Sequence, residues 1–327
     1  MWEIWLPLLG GLVLLIAGGE LLVRGAVQIA TGLGVSPLVI GLTLVGFGTS
    51  TPELVTSVQA ALMNSPGIAY GNIVGSNIAN ILLIGGVAAL ISPMVIASVA
   101  LKRDGAVMVG VAIAFSLIAF AMPLGRIVGA VFVAALVAYV YLAFRQEKSS
   151  APSGHGAVYD KSLALQEVDA AVAMPAARPN SLLVSALTAI GGLVLVVLGG
   201  RFLVDGAVSL ARGFGIAETV IGLTIVAVGT SMPELVTSVV AGIRKHGDVA
   251  FGNIVGSNIY NILGIGGFTA LIAPGAVPAE IVSFDNVVMV VVSLALVAFA
   301  WTGRKIARWE GAVLLAGYLA YVYVIWP

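Results

Sequence analysis

Two glutamates stand in the middle of long apolar stretches, Glu53 within GFGTSTPELVTS and Glu234 within AVGTSMPELVTS. A charge at membrane depth costs at least ~2.5–3.5 kcal/mol on insertion scales and marks a functional site by default. Two ionised carboxylates together match the charge of one Ca²⁺ or about two Na⁺ ions. Calcium takes about 6–8 oxygens at roughly 2.3–2.6 Å, more than two glutamates supply. Further oxygens lie close by in sequence. Thr49, Ser50, Thr230 and Ser231 carry hydroxyls. Pro52 and Pro233 lack an N–H, so each frees the carbonyl four residues earlier, at Gly48 and Gly229. Gly46 and Ala227 fall where a broken helix can also present backbone oxygen. A lone proline could be a simple kink; the recurrence of Thr-Ser-x-Pro-Glu favours a break that lines a binding site.

A second motif accompanies each glutamate, GNIVGSNIAN at 71–80 and GNIVGSNIYN at 252–261. Asn72, Ser76 and Asn80 recur every four residues and share one helical face, as do Asn253, Ser257 and Asn261. Neutral oxygen donors suit hard cations, and Ser76, Asn80, Ser257 and Asn261 read as ligands. Asn72, Asn77, Asn253 and Asn258 read equally well as hydrogen bonders between helices, beside glycines that permit close helix approach. Glu20 with Arg24, and Arg201 with Asp205, stand four apart on two other apolar segments and read as salt bridges rather than gates. Glu218, Glu280 and Asp285 read as interfacial or solvated charges.

Elements able to hold such a site must be membrane helices. Hydrophobic residues make up 60% of the chain and charged residues only 9%, against about 25% charged in an ordinary soluble domain. A span needs ~20 apolar residues, and the segments are too long and evenly apolar for barrel strands. Ten helical spans are expected, at 4–30, 37–63, 68–92, 106–121 and 126–144, then 182–211, 218–243, 249–273, 286–301 and 308–325. The Met1-Trp2-Glu3 start has no basic stretch, so the first segment reads as a retained span. Zero net charge leaves nothing for nucleic acid to bind. The absence of cysteine removes disulfides, thiolate metal sites and cysteine nucleophiles. His155 and His246 both fall in polar connections, so neither a histidine metal site nor a catalytic triad is expected.

The chain repeats itself. Glu234 follows Glu53 by 181 residues, and Asn261 follows Asn80 by the same interval. The expected organisation is an all-α membrane protein of two five-helix repeats, 1–144 and 181–327, joined by a polar linker, 145–180, with a short helix near 162–172. Five spans per repeat is odd, so the second repeat enters from the opposite side, an inverted-topology plan common among secondary transporters. Lys102, Arg103, Arg145, Lys148, Lys161, Arg178, Arg244, Lys245, Arg304, Lys305 and Arg308 would share the linker side, against Arg126 and Arg212 on the other. That bias puts the linker in the cytoplasm and both termini outside the cell (inner) membrane.

The paired motifs, GFGTSTPELVTS…GNIVGSNIANILLIG and AVGTSMPELVTS…GNIVGSNIYNILGIG, resemble the two α-repeats of the sodium/calcium exchanger family, in the cation/calcium antiporter group. The resemblance implies ten helices, with spans 2, 3, 7 and 8 forming the ion core. It implies that Glu53 and Glu234 are shared Ca²⁺ and Na⁺ ligands, aided by Thr49, Ser50, Ser76, Asn80, Thr230, Ser231 and Ser257. Gly46 and Ala227 match positions that give backbone carbonyls. It also implies that the long first and sixth helices slide against the core to switch access. Asn261 occupies a position that is aspartate in some relatives, including potassium-dependent exchangers, which implies exchange without K⁺. The linker is too short for the calcium-sensing domains of animal exchangers.

The function expected is Na⁺/Ca²⁺ antiport by alternating access at one midplane site. The partners are the two transported ions and the lipid bilayer; neither a cofactor nor a protein partner is implied, and no enzymatic chemistry. Ca²⁺/H⁺ antiport is the alternative, since buried glutamates can trade a cation for protons. A passive cation channel is a weaker one, since repeated carboxylates and carbonyls can also line a pore.

Overall fold

The computed structural model describes residues 2–35, 37–96, 100–147, 156–168 and 181–327. His155 lies outside them. Among the described residues seven helices are long and apolar enough to cross a membrane, and the bent pair Glu218–Thr230 and Met232–Ile243, whose halves meet at 50°, makes an eighth if it is one span. The broken segment 37–62 and the helix Arg308–Ile325 stand at the other two places where spans are expected.

The two longest helices, Trp2–Gly32 and Leu182–Phe214, run antiparallel and touch backbone to backbone. Glycines spaced by seven make this possible: Gly11, Gly18 and Gly25 on one, Gly192, Gly199 and Gly206 on the other. A Cβ at Gly18 would sit 2.7 Å from the Val196 nitrogen, and one at Gly199 2.7 Å from the Leu15 nitrogen. Small residues allow such approach in lipid, where packing replaces the hydrophobic effect between helices. Both helices turn out at a left-handed glycine, Gly34 (φ 78°) and Gly215 (φ 68°).

The remaining helices enclose the core, with Pro66–Ile91 and Gly247–Ile272 the most deeply buried. Each helix interrupts its α-helical ladder with a π turn, at Asn80–Ile84 and Tyr260–Gly266. Such turns concentrate at functional sites, and here they begin at or beside Asn80 and Asn261. Two connections tie the repeats together. Met94–Val95 pairs antiparallel with Lys305–Ile306, and Leu124 bridges Gly275.

Two expectations need correction. Asp285 is not a solvated charge: it is 3% exposed and its carboxylate accepts the Tyr321 hydroxyl at 2.8 Å. Burial is tolerable because the charge-bearing oxygen has a donor. The linker helix runs Ala157–Val168, earlier than expected, and residues 169–172 lie outside the described residues. Nor is this helix a solvated connection. It packs into the core, and Val158, Ala164 and Lys161 are buried.

Candidate cation site

Prolines shape the two breaks. Pro52 and Pro233 stand in the first turns of Thr51–Leu62 and Met232–Ile243, where a missing N–H costs nothing because first-turn donors have no intrahelical partner. The preceding segments, Gly46–Gly48 and Ala227–Thr230, end just before, leaving Ser50 and Ser231 at the junctions. Each glutamate thus lies in the first turn of a half-helix, where the helix dipole favours negative charge.

The glutamates are almost fully buried, Glu53 1% and Glu234 2% exposed, and each is bonded from the other repeat. Ser231 donates to Glu53 Oε1 at 3.0 Å, and Ser50 donates to Glu234 Oε1 at 3.3 Å. Asparagines hold the glutamate backbones. The Asn72 amide donates to the Glu53 carbonyl at 3.2 Å and to Ser57 at 2.9 Å. The Asn253 amide shares its two hydrogens among the Glu234 carbonyl at 3.2 Å, Thr237 at 2.9 Å and Ser238 at 2.8 Å. These two act as hydrogen bonders between helices, one of the two readings their spacing allowed.

On one side of the site Thr230 donates to Asn72 Oδ1 at 3.0 Å, and Ser76 lies 3.5 Å from the Ala227 carbonyl. That carbonyl also accepts the Ser231 N–H at 3.1 Å. On the other side Thr49 and Ser257 accept hydrogen bonds from Lys161, at 2.7 Å for Thr49, while Gly46 faces the Tyr260 hydroxyl. Asn80 is buried nearby, its amide donating to Asn258 Oδ1 at 3.0 Å; Asn258 in turn donates to the Asn77 carbonyl at 3.3 Å. Asn261 is equally buried.

Five oxygens of this region, Glu53 Oε2, Glu234 Oε2, Asn80 Oδ1, Asn253 Oδ1 and Asn261 Oδ1, are buried without a hydrogen-bond donor among the described residues. All are acceptors. A buried acceptor left unmatched costs about 1–3 kcal/mol, and a hard cation is the partner such oxygens fit. The donor set is hydroxyl, amide and carboxylate oxygen, without sulfur or imidazole, which suits Na⁺ or Ca²⁺ better than a transition metal.

Beside the site a cavity of about 460 Å³ reaches from Thr49, Pro52 and Pro233 to the first helix at Glu20 and Arg24. Glu20 and Arg24 form an ion pair within their helix, and Arg201 and Asp205 approach to 4.0 Å within theirs. Two residues at the site were not foreseen. Lys161, expected among the linker-side charges, is buried, and its burial arises only from tertiary packing. Tyr260 was legible in principle, as the one residue that separates GNIVGSNIYN from GNIVGSNIAN.

A helical membrane protein with a buried, oxygen-lined acidic site at two helix breaks belongs among the ion-transport proteins. The sodium/calcium exchanger protein family model matches residues 3–145 and 184–326. The chain is 39% identical to the sodium/calcium exchanger MaX1 of Methanosarcina acetivorans, covering 98% of both chains. It is 37% identical to the putative antiporter CaxA of Alkalimonas amylolytica, covering 96% of both. It is 33% identical to the inner membrane protein YrbG of Escherichia coli, over 98% of this chain and 95% of that one. Among solved structures, the sodium-calcium exchanger NCX_Mj soaked with Na⁺ and Sr²⁺ superposes with a TM-score of 0.61 at 33% identity, over 97% of this chain and 96% of that one. The chain belongs to the sodium/calcium exchanger family, as its paired motifs implied.

Proposed function

We propose that this protein is a secondary active antiporter that exchanges Na⁺ for Ca²⁺ by alternating access at a midplane site built on Glu53 and Glu234. The observation that carries the reading is the crossed pairing of two buried carboxylates, each bonded by a serine of the other repeat. Thr49, Ser50, Ser76, Asn80, Thr230, Ser231, Ser257 and Asn261, with the carbonyls of Gly46 and Ala227, supply the remaining coordination. Ca²⁺ and Na⁺ compete for the same two carboxylates, so occupancy sets which face can open. A ligand shifts that equilibrium only through its different affinity for the two states.

The same reading has ten spans in two inverted repeats, 1–144 and 181–327, around a cytoplasmic linker at 145–180, with both termini outside the inner membrane. The antiparallel pairing of the two longest helices supports the inversion. So does the meeting of same-side connections, 94–95 with 305–306 on the linker side and 124 with 275 on the other. With Asn80 and Asn261 neutral, the site carries no third carboxylate and exchange needs no K⁺.

The test is ⁴⁵Ca²⁺ uptake into proteoliposomes loaded with Na⁺, at equal pH on both sides. Uptake is expected to require internal Na⁺, to proceed without K⁺, and to vanish in the Glu53→Gln/Glu234→Gln variant. Uptake indifferent to Na⁺ but driven by an imposed pH gradient would replace the reading with Ca²⁺/H⁺ antiport.

A further inference from the structure

The two repeats make matching contacts over most of the site, and they differ at one place. Around Pro66–Ile91, the glycine face of the GNIVGSN motif is covered by the start of the bent span: a Cβ at Gly71 would lie 2.9 Å from Gly222, and one at Gly75 2.7 Å from Leu223. The equivalent glycines on Gly247–Ile272 meet the linker helix instead. A Cβ at Gly252 would run into Asp160, and one at Gly256 would lie 3.2 Å from the Ala157 carbonyl and 3.3 Å from Lys161. On its other side the linker helix touches the segment that would be the symmetric cover: Leu165 packs with Val23, Val27, Ile40 and Val45. The linker helix is therefore wedged between the start of the second span and the site.

Its position is set at both ends of its first two turns. The buried Asp104 carboxylate accepts the Ala157 N–H at 2.7 Å, besides the Tyr139 hydroxyl at 3.1 Å. One turn on, Lys161 is 0% exposed, and its ammonium donates to Thr49 Oγ1 (2.7 Å), to Glu234 Oε1 (3.4 Å) and to Ser257 Oγ, with the Tyr260 ring centroid 5.9 Å away. An ammonium has three donors and no acceptor; here each meets an oxygen of the candidate cation site. In the other repeat the equivalent hydroxyls, Thr230 and Ser76, bond to Asn72 and approach the Ala227 carbonyl. Asn253 Oδ1, the counterpart of the acceptor that Thr230 uses, has no donor among the described residues.

We propose that the linker helix is a tethered blocker, with the Lys161 ammonium holding the place of a transported cation at Thr49, Glu234 and Ser257. The inference rests on the reading of Glu53 and Glu234 as the cation site. A cation entering from the linker side must displace the lysine, because both need the same oxygens. Desolvated charges are retained only when paired, so the docked lysine and an incoming cation are mutually exclusive ligands of Glu234. The apparent affinity for Ca²⁺ is lowered by the fraction of molecules with the helix withdrawn. A linker too short for a calcium-sensing domain thus still gives the exchanger a brake.

The test is equilibrium ⁴⁵Ca²⁺ binding to the purified full chain, wild type against Lys161→Met, which keeps the stem and removes the charge. The half-saturating Ca²⁺ concentration is expected to fall about tenfold in the variant, the change for a blocker docked in about nine molecules of ten. An unchanged or higher concentration would overturn the proposal. Binding by neither protein would defeat the site reading and the blocker with it. Since the chain has no cysteine, the buried Ala164 gives a second measurement in the otherwise native protein. Ala164→Cys should react slowly with a water-soluble maleimide and at least tenfold faster with saturating Ca²⁺. The acceleration should be absent when Glu53→Gln and Glu234→Gln are added. Fast labelling without Ca²⁺, or slow labelling throughout, would show that the helix is not a displaceable blocker.

Discussion

Asn72 and Asn253 hold the glutamate backbones across a helix interface, and their loss is a residue-scale test of the site. Replacing Asn253 by alanine removes an inter-helix donor from the Glu234 carbonyl, which keeps the Thr237 hydroxyl at 3.0 Å, and from two buried hydroxyls. Unmatched buried groups cost about 1–3 kcal/mol, while hydrogen bonds between membrane helices average about 0.6 kcal/mol. Thermal unfolding in detergent should show a lower midpoint for Asn72→Ala and for Asn253→Ala, with a higher half-saturating Ca²⁺ concentration in each. An unmoved midpoint would mean that the amides do not hold the helices. The candidate ligands were visible in the sequence because Glu53 and Glu234 stand out against apolar surroundings and recur. Lys161 was not, because a single lysine in a polar stretch carries no periodic signal of where it will be buried.

At the scale of elements, the heptad-spaced glycines make a sharper prediction than the span count. Gly18→Leu and Gly199→Leu put side chains where even a Cβ would lie 2.7 Å from the opposite backbone. Overpacking costs about 1–3 kcal/mol or more, and each variant should unfold at a lower temperature. Gly10→Leu and Gly191→Leu, each one position from an interface glycine (Gly11 and Gly192) and where a Cβ meets nothing within 4 Å, should leave the midpoint in place. Equal behaviour of the two sets would remove the interface from the stability of the protein. Apolar stretches in the sequence located the helices well. The linker helix starts earlier than its sequence suggests because core-facing Ala157 and Ala164 are small and the buried row also includes the charged Asp160 and Lys161, which blurs the apolar pattern.

For the whole molecule, sidedness is directly measurable because the chain has no cysteine. On the proposed topology, the excess of lysine and arginine on the linker side places that side in the cytoplasm. In intact cells, an impermeant thiol reagent should label Gly125→Cys, opposite the linker, and spare the exposed Arg244→Cys until the membrane is opened. The reverse pattern would invert the assignment. The crossed serine–glutamate bonds have a further consequence for assembly. Glu53 takes its serine donor from the second half of the chain and Glu234 its serine donor from the first, so each half lacks a serine that its own carboxylate bonds. The protein is in effect a heterodimer whose subunits share a chain. Severed within the linker, its halves would follow mass action, and cation binding would become a function of how much of each half is present.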